Sequence, residues 1–123
     1  MKYLLIVAFI FLTVSQYGCY YDKQDLLVQP IPCDTTQVTY SGTVKPILAS
    51  ICYACHSGTA PAGNIKLDQY GPVRSVALST NGLLLGVISH TPGYDAMPKS
   101  GGKLNDCNIQ KIAIWIHAGA PNN

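Results

Sequence analysis

The chain reads as a small all-α domain behind an export signal, and three features predict this. Val44, Ile47, Leu48 and Ile51 recur at i, i+3, i+4 and i+7, the apolar stripe of one helix face. Ile109, Ile112, Ala113 and Ile116 repeat that stripe near the C-terminus, with Trp115 beside them. Residues 4–14 form a run dominated by Leu, Ile, Val and Phe behind Lys2. A membrane span needs about 20 apolar residues; this run is shorter and suits the apolar region of a secretory signal.

The segment Ser15-Gln16-Tyr17-Gly18-Cys19 closes the signal. A small residue directly before a cysteine, just behind the apolar run, resembles the cleavage site of bacterial lipoproteins, in which the cysteine is lipidated. Gln16 and Tyr17 depart from the usual small or aliphatic residues, and ordinary cleavage nearby would leave Cys19 as a free thiol. The reading is therefore a signal peptide of lipoprotein type at 1–18, a lipid anchor and tether at 19–37, and one domain at 38–123. The tether has two prolines and no sustained period. With Cys33 bridged to the domain, residues 20–32 reach at most about 45 Å.

In the domain, the first helix is expected over residues 44–55. Thr43 is placed to cap it, and Pro46 falls in its first turn, where a missing N–H costs little. A loop rich in Gly, Pro and Ala follows over residues 57–64. Two short helices are expected over 72–78 and 83–89, separated by Thr80-Asn81-Gly82; Gly86 weakens the second and leaves a strand open. Residues 91–103 are irregular. The last helix is capped by Asn105 and stopped by Gly119 and Pro121.

The formal net charge is +2, Glu is absent, and no basic run exists to hold a nucleic acid. Charge says little more. Cysteine says much more. Cys52-Tyr53-Ala54-Cys55-His56 has the spacing of the attachment signature for c-type haem. Residues three and four apart share a helix face, so two thiols for the vinyl groups and an imidazole for the iron converge on one side of a porphyrin. A thioredoxin-like pair would need a βαβ context. A structural zinc site would need a second Cys or His pair, and none exists.

The chain has five cysteines, an odd number for an oxidising compartment. Lipid on Cys19 and haem on Cys52 and Cys55 leave Cys33 and Cys107 to pair. The competing arrangement is a two-disulfide scaffold with Cys52 bridged to Cys55 and His56 without a role. For the sixth iron ligand the candidates are Met97, His90 and His117. Met97 leads, being the only methionine after the signal and lying in a Gly/Pro-rich loop. His90, just before that loop, is the alternative, and His117 suits the surface near a helix C-terminus. Pro61 is a candidate to offer its carbonyl to the other nitrogen of His56. Trp115 and Tyr94 suit either the haem edge or plain core packing, and Arg74 suits solvent better than a propionate.

With these residues in place, 38–121 resembles a mono-haem class I cytochrome c domain of the small, exported bacterial kind. The likeness lies in TVKPILASICYACH, the IKLD segment, the Ala96-Met97-Pro98 loop and the ending Trp115-Ile116-His117-Ala118-Gly119-Ala120. It implies a cytochrome c-like helical domain wrapped around one covalent haem c, with His56 and Met97 as axial ligands. The Cys33/Cys107 pair and the short loop GTAPAGN depart from the better-known soluble members. The function expected is membrane-tethered transfer of single electrons between redox protein partners on the periplasmic side of a bacterial membrane, with no organic substrate. Two other readings stand beside it: a haem enzyme or gas-binding protein with an open iron position, peroxidase-like, and a disulfide-stapled exported module without haem.

Overall fold

The computed structural model describes residues 32–123. The expected signal, the lipidation site Cys19 and most of the tether lie outside the described residues. A single π turn over Tyr40–Val44 leads into α1 (Lys45–Ile51), followed by α2 (Tyr53–His56), a 3₁₀ turn at Ala62–Asn64, α3 (Tyr70–Ala77), α4 (Leu83–Ile88) and α5 (Asp106–His117). Among the described residues all regular structure is helical, as the apolar periodicity requires. No described helix is long and apolar enough to cross a membrane.

The first helical segment starts earlier than its apolar stripe indicates. Thr39, and not Thr43, is the N-cap: its Oγ1 accepts the Gly42 N–H at 3.0 Å. The Thr43 Oγ1 accepts the Thr39 N–H in return, at 3.4 Å. The opening turn is wide, with the Lys45 N–H bonded to the Tyr40 carbonyl five residues back. Pro46 gives the reason. In a regular helix its ring would press on the carbonyl of residue 42, and a π turn moves that carbonyl away. The segment also breaks at Cys52 (φ −103°, ψ −30°) instead of running unbroken to residue 55.

The core forms where α1, α3, α4 and α5 meet the π turn. Val44, Leu48, Val73 and Ile112 are fully buried, and Trp115 is 1% exposed. Tyr40 stacks on Trp115 (ring centroids 5.5 Å apart) and meets Tyr70 edge-on at 5.0 Å. The C-terminal tail closes over this cluster. The Trp115 Nε1–H donates to the Pro121 carbonyl at 2.9 Å, and the Tyr70 hydroxyl donates to that of Ala120 at 2.8 Å. The Asn123 Oδ1 accepts the Tyr40 N–H at 2.8 Å, so the tail covers a donor at the start of the π turn.

Helix α4 is helical and not a strand. Gly82 at φ 64° makes the turn before it, and the Ser79 Oγ accepts the Leu83 N–H at 3.0 Å, a cap that lies four residues ahead of the helix. Gly86 has a packing reason to lack a side chain. A Cβ there would lie 2.4 Å from the Tyr94 ring, which is laid across α4. Helix α5 ends as expected: the Asn105 Oδ1 accepts the Asn108 N–H at 2.8 Å, and Gly119 sits at φ 86° just past the C-cap.

Cys33 and Cys107 are bonded to each other, with Cα atoms 5.5 Å apart. The bridge joins positions separated by 74 residues. Closing a loop of that length removes unfolded-state entropy worth about 4 kcal/mol. It also makes Cys33 the start of the compact unit, which runs to Asn123.

Candidate haem site

A cavity of about 540 Å³ opens between α2, the loop after it, α4 and the segment before α5. That is within the roughly 300–1,000 Å³ typical of sites that enclose a small molecule or cofactor. Ile51, Ile65, Ile88 and Leu104 supply apolar wall. Cys52, Cys55, His56 and Met97 all reach the same space.

The break at Cys52 shapes this wall. The carbonyl of Cys52 accepts both the Cys55 N–H at 3.1 Å and the His56 N–H at 2.9 Å, closing one tight helical turn. That turn holds the two thiols and the imidazole on one face. Cys52 is half-buried, Cys55 is exposed, and they are not bridged to each other. Burial pushes the Cys52 thiol above its ordinary value. No group of three or more His, Cys, Asp or Glu side chains among the described residues is arranged to hold a bare metal ion.

His56 is oriented from behind. Its Nδ1 lies 3.1 Å from the Ile65 carbonyl. A carbonyl oxygen has no proton to give, so Nδ1 carries the hydrogen and Nε2 keeps a free lone pair for a metal. The Leu67 N–H donates to the His56 carbonyl at 2.7 Å, so the segment 65–67 grips His56 by ring and backbone together. The Asp68 Oδ2 accepts the Gly58 N–H at 3.0 Å and closes the intervening loop. Pro61, the candidate partner for the ring, does not serve His56: its carbonyl accepts the Asn64 N–H at 3.0 Å. Ile65 takes that role.

Met97 lies in the segment joining α4 to α5. Its N–H donates to the Val87 carbonyl at 3.0 Å, and its own carbonyl lies 3.0 Å from the His90 Nε2. His90 is not among the residues lining the cavity. His117 is exposed in the last turn of α5. Of the aromatic candidates, Trp115 is core, and Tyr94 lies on α4 with its hydroxyl donating to the Asn81 carbonyl. Arg74 is exposed.

These residues fit a haem: an apolar cavity, two unbridged thiols three residues apart, an imidazole with Nε2 available, and a thioether in the same space. A helical domain built around such a cavity is the architecture of a c-type haem protein. No family model matches the chain, and no solved structure matches it. Two curated relatives do. The chain is 33% identical over 73 residues to a cytochrome c6 of Bumilleriopsis filiformis, an alignment covering 57% of this chain and 80% of that protein. It is 30% identical over 83 residues to a cytochrome c6 of a Picosynechococcus species, covering 63% and 71%. The chain belongs to the same family as these proteins, the mono-haem c-type cytochromes.

Proposed function

We propose that this chain is a membrane-tethered carrier of single electrons, with one haem c bound covalently through Cys52 and Cys55 and held axially by His56 and Met97. The observation that carries the reading is the cavity that all four side chains share. When bound, the haem supplies a one-electron Fe(II)/Fe(III) couple. The protein does the rest. Cys52 and Cys55 fasten the group so that it is not lost when partners exchange. The Ile65 carbonyl fixes the plane and tautomer of His56. Ile51, Ile65, Ile88 and Leu104 keep water from the interior. A His56/Met97 pair sets the potential higher than two imidazoles would.

The role is that of a carrier rather than an enzyme, with redox proteins as donor and acceptor and neither an organic substrate nor a nucleic acid as partner. Ala54, Cys55, Ala62 and Gly63 line the cavity and are exposed, giving an open rim at which partners approach. Residues 1–18 act as a lipoprotein signal, Cys19 carries the lipid, and of the segment 19–37 before the domain 38–123 the part ahead of Cys33, which is bonded to Cys107, is the free tether on the periplasmic side of a bacterial membrane. The apolar run 4–14 and the Gly18-Cys19 junction support this.

The test is chemical. Protein made with cytochrome maturation machinery should keep its haem through acid–organic extraction, which strips non-covalent haem. The double variant Cys52→Ala/Cys55→Ala should release it. Colourless wild-type protein from active machinery would sink the reading. For the tether, wild-type protein should follow detergent and membranes, and Cys19→Ser should appear in the aqueous fraction; equal partitioning of the two would remove the lipid.

A further inference from the structure

We infer that His90 is a positioning residue whose ring clamps the Met97 segment against α4. This rests on Met97 being the sixth ligand, and it adds what holds the ligand in place. Residues 91–97 form a loop whose two ends are both tied to α4. At the start, the Thr91 N–H donates to the Gly86 carbonyl at 3.0 Å; at the end, the Met97 N–H donates to that of Val87 at 3.0 Å. The His90 Nε2 completes the second tie from the other side, 3.0 Å from the Met97 carbonyl. A carbonyl only accepts, so Nε2 is the donor. The peptide groups on both sides of the Met97 Cα are thereby fixed, and with them the direction of its side chain.

The backbone of His90 supports a specific use of its ring. His90 sits at φ 54°, in the left-handed region that side-chain-bearing residues rarely adopt. A glycine would suit that turn better. From this turn the ring of His90 reaches the segment before Pro98 and bonds the Met97 carbonyl, so backbone and ring act together at one point.

The measurement is the affinity of the haem-loaded ferric protein for added imidazole, which competes with the Met97 sulfur. It is read on the charge-transfer band that methionine gives ferric haem. Losing one hydrogen bond corresponds to a change of roughly two- to tenfold. His90→Leu should therefore bind imidazole several-fold more tightly than wild type. His90→Gln, which keeps an N–H donor, should return toward wild type. His90→Gly is the decisive variant, because it relieves the backbone and removes the donor. A positioning role predicts a thermal midpoint at or above wild type together with tighter imidazole binding. A purely conformational role predicts the first without the second. Should His90→Leu fail to fold, the Gly and Gln variants carry the comparison. Wild-type imidazole affinity in the Gly variant would overturn the inference while leaving Met97 as ligand. Absence of the methionine band in wild-type protein would instead overturn the ligand assignment and the clamp with it.

Discussion

Met97→Ala is expected to leave the haem covalently attached and the fold intact while opening one side of the iron. The ties that shape the segment come from the backbone of residue 97, to Val87 and His90, and alanine keeps both. What disappears is the thioether. The methionine charge-transfer band of the ferric protein should vanish, and the ferrous protein, which should resist carbon monoxide in wild type, should bind it rapidly. The reduction potential should fall as well. Axial ligand choice moves haem potentials over roughly 0.8 V, and exchanging sulfur for water lies on the downward side of that range. Persistence in the variant of a low-spin ferrous spectrum that resists carbon monoxide would mean that a nitrogen ligand, and not water, holds the iron. His90 would then have to leave the Met97 carbonyl, and the loop with it. Rapid carbon monoxide binding by the wild type would favour the open-iron, peroxidase-like reading over a carrier.

The parts of this site legible in the sequence are those whose causes lie within one helical turn. Cys52, Cys55 and His56 are neighbours on a single turn, so their spacing alone predicts convergence, and the structure puts them on one cavity wall. Helix α5 was equally readable, because its cap, stripe and glycine stop are all local. The pairing of Cys33 with Cys107 followed from counting thiols, which needs no geometry. Causes that come from further away were hidden. The partner of His56 is the carbonyl of Ile65, nine residues on, while that of Pro61 accepts the Asn64 N–H in a turn inside the loop. The first helical segment begins at Tyr40 rather than at the expected residue 44. Its cap Thr39 is local, but the Tyr40 N–H is accepted by tail residue Asn123, 83 positions away, a partner that no local pattern announces. In the sequence His90 stands as a rival ligand. Its hydrogen bond to Met97 depends on a positive φ that a histidine in the sequence does not advertise.

Trp115→Ala is expected to have the largest effect on stability, with little effect on the colour of whatever remains folded. Trp115 is the largest fully buried side chain, and it joins three parts of the domain at one point. It comes from α5, stacks on Tyr40 of the π turn, and donates its indole N–H to the tail at Pro121. Truncating a buried tryptophan costs about 3–5 kcal/mol, a large share of the roughly 5–15 kcal/mol that holds a domain together. At about 4–8 °C per kcal/mol for a domain of this size, the thermal midpoint of the haem-loaded protein should drop by tens of degrees. Trp115→Phe keeps a ring against Tyr40 but loses the donor, leaving the Pro121 carbonyl without its indole partner, and should cost only about 1–3 kcal/mol. The contrast with Met97→Ala is the sharper check. Trp115 is absent from the cavity lining, so its folded fraction should keep the methionine band and the resistance to carbon monoxide, whereas Met97→Ala should lose both with a midpoint much closer to wild type. A Trp115→Ala protein that melted near wild type but lost the band would reverse the assignment, placing the indole at the haem and the keystone of the core elsewhere.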